Sequence, residues 1–222
     1  MIITIDGPAG SGKSTVADII AEQLGFIHFN SGALYRGITA FLYENKFDIE
    51  NMSTFSPIPN FEINVKMIDG NQHVFVNNKD YTPVLRNNEI SRLVAFIGGN
   101  KNCRNKVDDC QKEFCSNHNV VMEGRDLGSF VFPNAEVKFY LDCSIEERAR
   151  RRFLEEQEKH TNVTFEEIKE QIFERDELDK NREIAPLVVP KDAIIVDSTH
   201  LSIEEVVNEM KTYIENKKQY IS

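Results

Sequence analysis

The chain has 222 residues, 41% hydrophobic and 28% charged, which suits a soluble globular fold with one substantial core and small appended lobes. Its 26 basic against 36 acidic side chains give a formal charge of −10, a surface that repels a phosphate backbone and argues against nucleic acid as main partner. No run approaches the ~18 apolar residues that span a membrane, and the opening MIITIDGPAG reads as no secretory leader. Cys103, Cys110, Cys115 and Cys143 form no CxxC pair, so neither zinc nor a redox motif is indicated, and a cytoplasmic protein with reduced thiols is expected.

Residues 2–6 (IITID) read as a short buried strand, and 14–25 as the helix after a Gly-rich turn. FIHFN (26–30) is the next strand, followed by a helix over 33–45. The period then changes. Phe61, Ile63, Val65 and Met67 alternate with Glu62, Asn64 and Lys66, the pattern of a strand with one buried face. Asp69-Gly70 supplies a hairpin turn before HVFVN, so 61–77 is expected as an antiparallel insert. Helices over 88–98 and 103–117 come next, then strands at 119–123 and 136–142 and one long charged helical stretch over 145–180. A last strand at 193–197 precedes a closing helix capped by Ser202 with Glu205. This alternation predicts an α/β fold with a parallel sheet covered by helices on both faces. Ligands of such sheets bind at the carboxyl ends of the strands.

GPAGSGKST (7–15) fits G-x-x-x-x-G-K-[ST] between a strand and a helix. Gly7, Pro8, Ala9, Gly10, Ser11, Gly12, Lys13, Ser14 and Thr15 therefore read as a nucleoside triphosphate cradle, in which backbone N–H groups and a helix N-terminus surround phosphate oxygens. Lys13 reaches the β- and γ-phosphates, and the Ser14 hydroxyl is placed to ligate Mg²⁺. No guanine-reading N-K-x-D is found; NNKD (77–80) has the wrong order. NSGALYRG (30–37) opens a helix after a strand end with Arg36 one turn in, a clamp for a second phosphate or else a plain N-cap. EGRDLG (123–128) follows another strand and would bring Arg125 and Asp126 to the same cleft, with Glu123 organising metal-bound water. In ERDELDKNR (174–182), Arg175, Asp179 and Arg182 follow i, i+4, i+7 spacing on one helical stripe. That stripe either holds a substrate or is a solvated ion pair of little energetic consequence.

Taken in order, ITIDGPAGSGKST, NSGALYR, EGRDLGSFVFP, EERARRR, ERDELDKNREIAPL and VDSTHLSIEEV resemble the bacterial cytidylate kinases, the (d)CMP kinases of the nucleoside-monophosphate kinase group. The resemblance spans nearly the whole chain, and GRDLG with R-D-x-x-D-x-N-R is far more specific than the P-loop. It implies Mg²⁺-assisted phosphorylation of CMP and dCMP by ATP, in a monomer that binds neither nucleic acid nor membrane. It also implies a single kinase domain: a core over about 1–30, 88–145 and 185–222, a nucleotide-acceptor part over about 31–87 carrying the insert 61–77, and a helical lid over about 148–165. Carried over by position, residues 7–15 bind ATP, and Ser31, Arg36, Arg104, Arg125, Asp126, Arg175, Asp179 and Arg182 surround CMP. Arg148, Arg151 and Arg152 would belong to the lid over the ATP phosphates and would act with Lys13 and Arg125 on the transferring group. Arg150 is left as a solvated side chain. The chain departs from the family pattern at Asn30 and Glu123, where Asp is usual, and at Ala95, where a Ser usually meets cytosine.

Overall fold

The computed structural model, which describes residues 1–158 and 160–221, begins with β1 (Ile2–Asp6), α1 (Lys13–Leu24), β2 (Ile27–Asn30) and α2 (Ser31–Glu44). An excursion of β3 (Ile63–Ile68), β4 (Asn71–Val76) and β5 (Lys79–Asp80) follows. The chain then runs through α3 (Asn88–Gly99), α4 (Lys101–Cys115), β6 (Val120–Glu123), β7 (Val137–Asp142), α5 (Ile145–Glu158), α6 (Phe165–Asn181), β8 (Ile194–Asp197) and α7 (Ile203–Ile221). Lys159, inside the expected lid, and Ser222 lie outside the described residues.

Strands β2-β6-β1-β7-β8 form one parallel sheet. The period-2 alternation of a strand sends Val121 into a cluster with Val16, Ile20, Met210 and Ile214 of α1 and α7. Its neighbours Val120 and Met122 join the opposite cluster, with Leu34, Ile38, Ile97 and Val107 of α2, α3 and α4. Apolar burial on both faces fixes the strands' level. The register pairs Glu123 with Ile5 on one side and Asn30 on the other, so the carboxyl ends of β1, β2 and β6 meet at one edge. Among the described residues no helix is long and apolar enough to cross a membrane.

The expected hairpin forms at Asp69-Gly70, both with positive φ, the geometry of a two-residue turn between twisted strands. The short β5 adds a third strand that the periodicity did not reveal. This small sheet packs on α2 through Val74 and Val76, both fully buried.

Two expectations are corrected. The helix expected over 33–45 starts at Ser31, because Asn30 caps it, its Oδ1 accepting from the Ala33 N–H at 2.9 Å. The single helical stretch expected over 145–180 is two helices. Thr164 and Glu167 form a reciprocal capping box that starts α6 afresh. The break lets Ala149 of α5 pack with Ile168 and Ile172 of α6 as a separate small core.

At Gly37 on α2 an added Cβ would lie 2.6 Å from Val74 Cγ1. We expect Gly37→Ala to cost about 1–3 kcal/mol, the usual range for overpacking, read as a lower urea midpoint. An unchanged midpoint would mean that the small sheet shifts off α2 without loss.

Candidate active site

Between β1 and α1 the backbone curls tightly. A Cβ on Gly7, whose φ is +150°, would fall 2.2 Å from the Leu141 carbonyl oxygen of β7, so only glycine lets the loop pass there. Lys13 is buried at the start of α1, and its Nζ donates to the Pro8 carbonyl at 2.6 Å and to Ser11 Oγ at 3.3 Å. Burial, followed by the nearby Arg125 charge, pushes the Lys13 pKa well below the usual lysine value. Arg148, expected among the lid arginines, lies beneath this loop instead. Its guanidinium pairs with Asp176 at 2.7 Å and donates to the carbonyls of Ala9 (3.0 Å) and Cys143 (2.9 Å). The reason is plain: a buried arginine needs a buried carboxylate, and Asp176 is the one within reach.

The loop opens onto a cavity of about 800 Å³. Gly10, Ser11, Gly12, Lys13, Ser14 and Thr15 line one side; Ser31, Arg36, Arg125, Asp126, Arg175 and Arg182 line the other; Arg151 and Arg152 approach from α5. Gly7, Pro8, Ala9, Arg104, Arg148 and Asp179 stand behind the wall. Arg151 donates to Glu147 (2.9 Å) and to the Ser198 carbonyl (2.7 Å), and Arg152 pairs with Glu155 and Glu156. Arg150 also reaches the cavity edge, in an exposed pair with Glu147.

Two aspartates organise the arginine-lined side. Asp179 Oδ2 accepts from Arg125 Nε at 3.0 Å and Arg175 Nε at 3.2 Å, and its Oδ1 lies 3.7 Å from Arg182. Burial alone would raise the Asp179 pKa, but Arg175, Arg125 and Arg182 outweigh it and hold the carboxyl at about 2. Asp126 pairs with the fully buried Arg104 and, at 3.2 Å, with Arg182. Arg182 is not on the helical stripe: α6 ends at Asn181, and extended backbone at Arg182 swings its side chain across to both aspartates. Arg104 lies against the rings of Tyr35 and Phe130. Its Nε and the Tyr35 hydroxyl are buried without a hydrogen-bond partner among the described residues, and of the two residues it is Tyr35 that lines the cavity.

At the strand ends, Glu123 accepts from Asn30 Nδ2 at 2.7 Å, and His28 Nε2 lies 3.4 Å away. Burial pushes the Glu123 pKa up, yet His28, the Lys13 charge and the Ser14 hydroxyl together bring it below the usual value. Asp6 accepts from the backbone N–H of Leu127 and Gly128, and burial still raises its pKa to about 6. Asp6, His28 and Tyr35 were not singled out in the sequence. A lone acid closing the apolar run IITID was the available signal for Asp6; His28 and Tyr35 carried none. Ala95 faces a neighbouring groove with Phe96, Phe173 and Leu178, while Val94 and Gly98 of the same helix reach the cavity.

A phosphate loop with a buried lysine, facing an arginine wall across one cavity, defines a P-loop phosphotransferase built for two anionic ligands. The sequence pattern of the cytidylate kinase family matches residues 3–216, and the chain belongs to that family. It is 41% identical over 209 residues to the cytidylate kinase of Caldicellulosiruptor bescii, covering 94% of this chain and 92% of that one. Identity to the Carboxydothermus hydrogenoformans cytidylate kinase is also 41%, over 223 residues and the full length of both. Among solved structures, shikimate kinase from Acinetobacter baumannii in complex with shikimate superposes with a TM-score of 0.50 at 14% identity, covering 98% of this chain and 94% of that one. That likeness is one of fold alone.

Asp179 gives a pH test of the arginine wall. A carboxyl held at about 2, below its ordinary 3.8, contributes stability above the ordinary value, and the contribution fades as pH falls through the lower one. We expect wild type to exceed Asp179→Asn in unfolding free energy at neutral pH and the gap to narrow between about pH 4 and pH 2. Denaturant titrations across that range measure it; a gap independent of pH would assign the loss to shape and not to charge.

Proposed function

We propose that this cleft performs in-line transfer of the ATP γ-phosphate to the phosphate of CMP or dCMP, with loop 7–15 holding ATP and the arginine wall holding the acceptor. The chain is a (d)CMP kinase, an enzyme that converts CMP and dCMP to CDP and dCDP with ATP. The observation that carries the division of labour is the convergence of Arg125, Arg175 and Arg182 on Asp179, across one cavity from Lys13.

An acceptor phosphate with a second pKa of about 6 is mostly ionised at neutral pH, so no general base is needed and none is assigned. The work is positioning and charge neutralisation. Lys13 exchanges its bonds to Pro8 and Ser11 for phosphate oxygens. Ser31 and Arg36, at the start of α2, clamp the acceptor phosphate together with Arg125. Asp126 accepts from the cytosine amino group, Arg104 donates to the ring, and Arg175, Asp179 and Arg182 close around ribose and base. Arg148 keeps the loop in shape from below. Arg151 and Arg152 belong to a lid over about 148–165 and trade their acidic partners for ATP phosphates on closure, which excludes water from the transfer.

Ser14 and Glu123 suit Mg²⁺. They are hard oxygen donors lining the same cavity, and no cluster of three or more His, Cys, Asp or Glu ligands occurs among the described residues. A cation here would take most of its shell from phosphate and water, as Mg²⁺ prefers. When bound, it neutralises charge on the β- and γ-phosphates. The core, acceptor-binding and lid parts expected from the sequence are kept as one domain. A cytoplasmic monomer is part of this reading.

A coupled ADP-release assay with CMP, dCMP, UMP, AMP and shikimate as acceptors tests this reading. CMP and dCMP should give the highest kcat/KM, and Lys13→Ala should cut turnover by about 10³-fold, as expected for a donor aimed at transferring charge, with unchanged circular dichroism. Preference for another acceptor, or near-normal turnover in folded Lys13→Ala, would overturn it.

A further inference from the structure

Asn30 and Glu123 face each other across adjacent strands. Asn30 Nδ2 donates to Glu123 Oε1 at 2.7 Å. Its Oδ1 accepts from the Ala33 N–H at 2.9 Å and from Arg36 Nη2 at 3.4 Å. The amide orientation is forced, because a flip would set the NH₂ against two donors and the carbonyl against a carboxylate. The backbone of Asn30 is gripped as well. Gln72 of the small sheet accepts from its N–H at 2.7 Å and donates to its carbonyl at 3.1 Å. Gly32 keeps the space open, since a Cβ there would come within 3.2 Å of Asn30 Oδ1. His28 Nε2 stands 3.4 Å from the same Glu123 oxygen, and its Nδ1 lies 3.3 Å from Asp18.

One amide thus holds both a carboxylate that lines the cavity beside the phosphate loop and the guanidinium of Arg36. An aspartate at position 30 could accept from Ala33 and Arg36, but it could not donate to Glu123. It would press a second carboxylate against the first. Glu123 has one methylene more than Asp and with it one more torsion to be fixed; the Asn30 donor fixes it through Oε1, and His28 Nε2 stands 3.4 Å from that same oxygen.

We propose that Asn30 is a positioning residue that couples the two halves of the reaction, setting Glu123 on the ATP side and Arg36 on the acceptor side through the two ends of one amide. This rests on the reading that Glu123 serves the ATP-bound cation and Arg36 the acceptor phosphate. The two residues work as a unit.

Two substitutions separate this role from helix capping. Asn30→Asp retains the cap and the Arg36 contact but loses the donor. Asn30→Ser retains a cap and is too short to reach Glu123, so it serves if the buried charge of the first variant prevents folding. The readouts are Mn²⁺ affinity of the ATP complex by electron paramagnetic resonance, metal-free ATP affinity by calorimetry, and KM for CMP. Mn²⁺ binding should weaken about tenfold or more in the folded variants, as for lost partners of metal-site carboxylates. KM for CMP should rise in parallel, and metal-free ATP affinity should stay unchanged. If Glu123→Gln weakens Mn²⁺ binding and neither Asn30 variant does, the coupling is wrong and the reading of Glu123 stands. If Mn²⁺ affinity falls in the Asn30 variants while KM for CMP is unmoved, Asn30 serves one side only and the coupling is again overturned. If Glu123→Gln itself leaves Mn²⁺ affinity unchanged, the metal-side reading falls and takes the proposal with it.

Discussion

A guanidinium withdrawn from water has to have a carboxylate beside it, and two aspartates meet that need for Arg104, Arg125, Arg175 and Arg182. Asp179, with its side chain 2% exposed, joins Arg125 from the turn after β6 to Arg175 on its own helix. Asp126 joins Arg104 of α4 to Arg182 beyond the end of α6. Removing one member of such a set strands its partner as an uncompensated buried charge, typically a cost of about 3–5 kcal/mol. The wall is therefore assembled before any ligand arrives. Arg125 and Arg175 remain 24% and 23% exposed, so each keeps a face for the acceptor while its other face is fixed.

Helix α6 carries this constraint to the other half of the cleft. Asp176 lies one turn before Asp179, pairs with Arg148, and accepts weakly from the Ala9 N–H of the phosphate loop. The same helix thus braces the ATP loop through one aspartate and the acceptor arginines through the next. In the proposed mechanism that shared brace sets the distance over which the phosphoryl group travels. The lid arginines differ in kind. Arg151 pairs with the partly exposed Glu147 and Arg152 with the exposed Glu155 on their own helix, pairs weak enough to be given up, although Arg152 also meets the buried Glu156.

What the sequence made legible follows from the range of each interaction. Strands, most helices and the hairpin rest on local period and turn chemistry, and they fell close to where the pattern put them, the stretch 145–180 excepted. The Arg175–Asp179 pair is an i, i+4 contact and could be read from spacing. Arg182 could not, because its role depends on the helix stopping one residue earlier. The Thr164–Glu167 capping box was visible as T-F-E-E and marks the break that the charged run concealed. Arg148 carried the same local signature as Arg151, and only the approach of α6 with Asp176 distinguishes them. Asn30, His28 and Asp6 depend on strand order: β2 beside β6 beside β1 cannot be read from any one strand.

The central claim is that the buried Asp126–Arg104–Arg182 group recognises the acceptor's base. Cytosine presents an amino donor where uracil presents a carbonyl, so a carboxylate there accepts from one and leaves the other unpaired, a difference of about 1–3 kcal/mol. The most direct measurement is the CMP:UMP ratio of kcat/KM in Asp126→Asn, whose side chain can donate as well as accept. If the carboxylate reads the base, the ratio narrows by roughly tenfold, the equivalent of about 1.4 kcal/mol, while KM for ATP holds. A ratio fixed at the wild-type value, with both substrates slowed alike, would contradict base reading and leave Asp126 only as an anchor for Arg104 and Arg182.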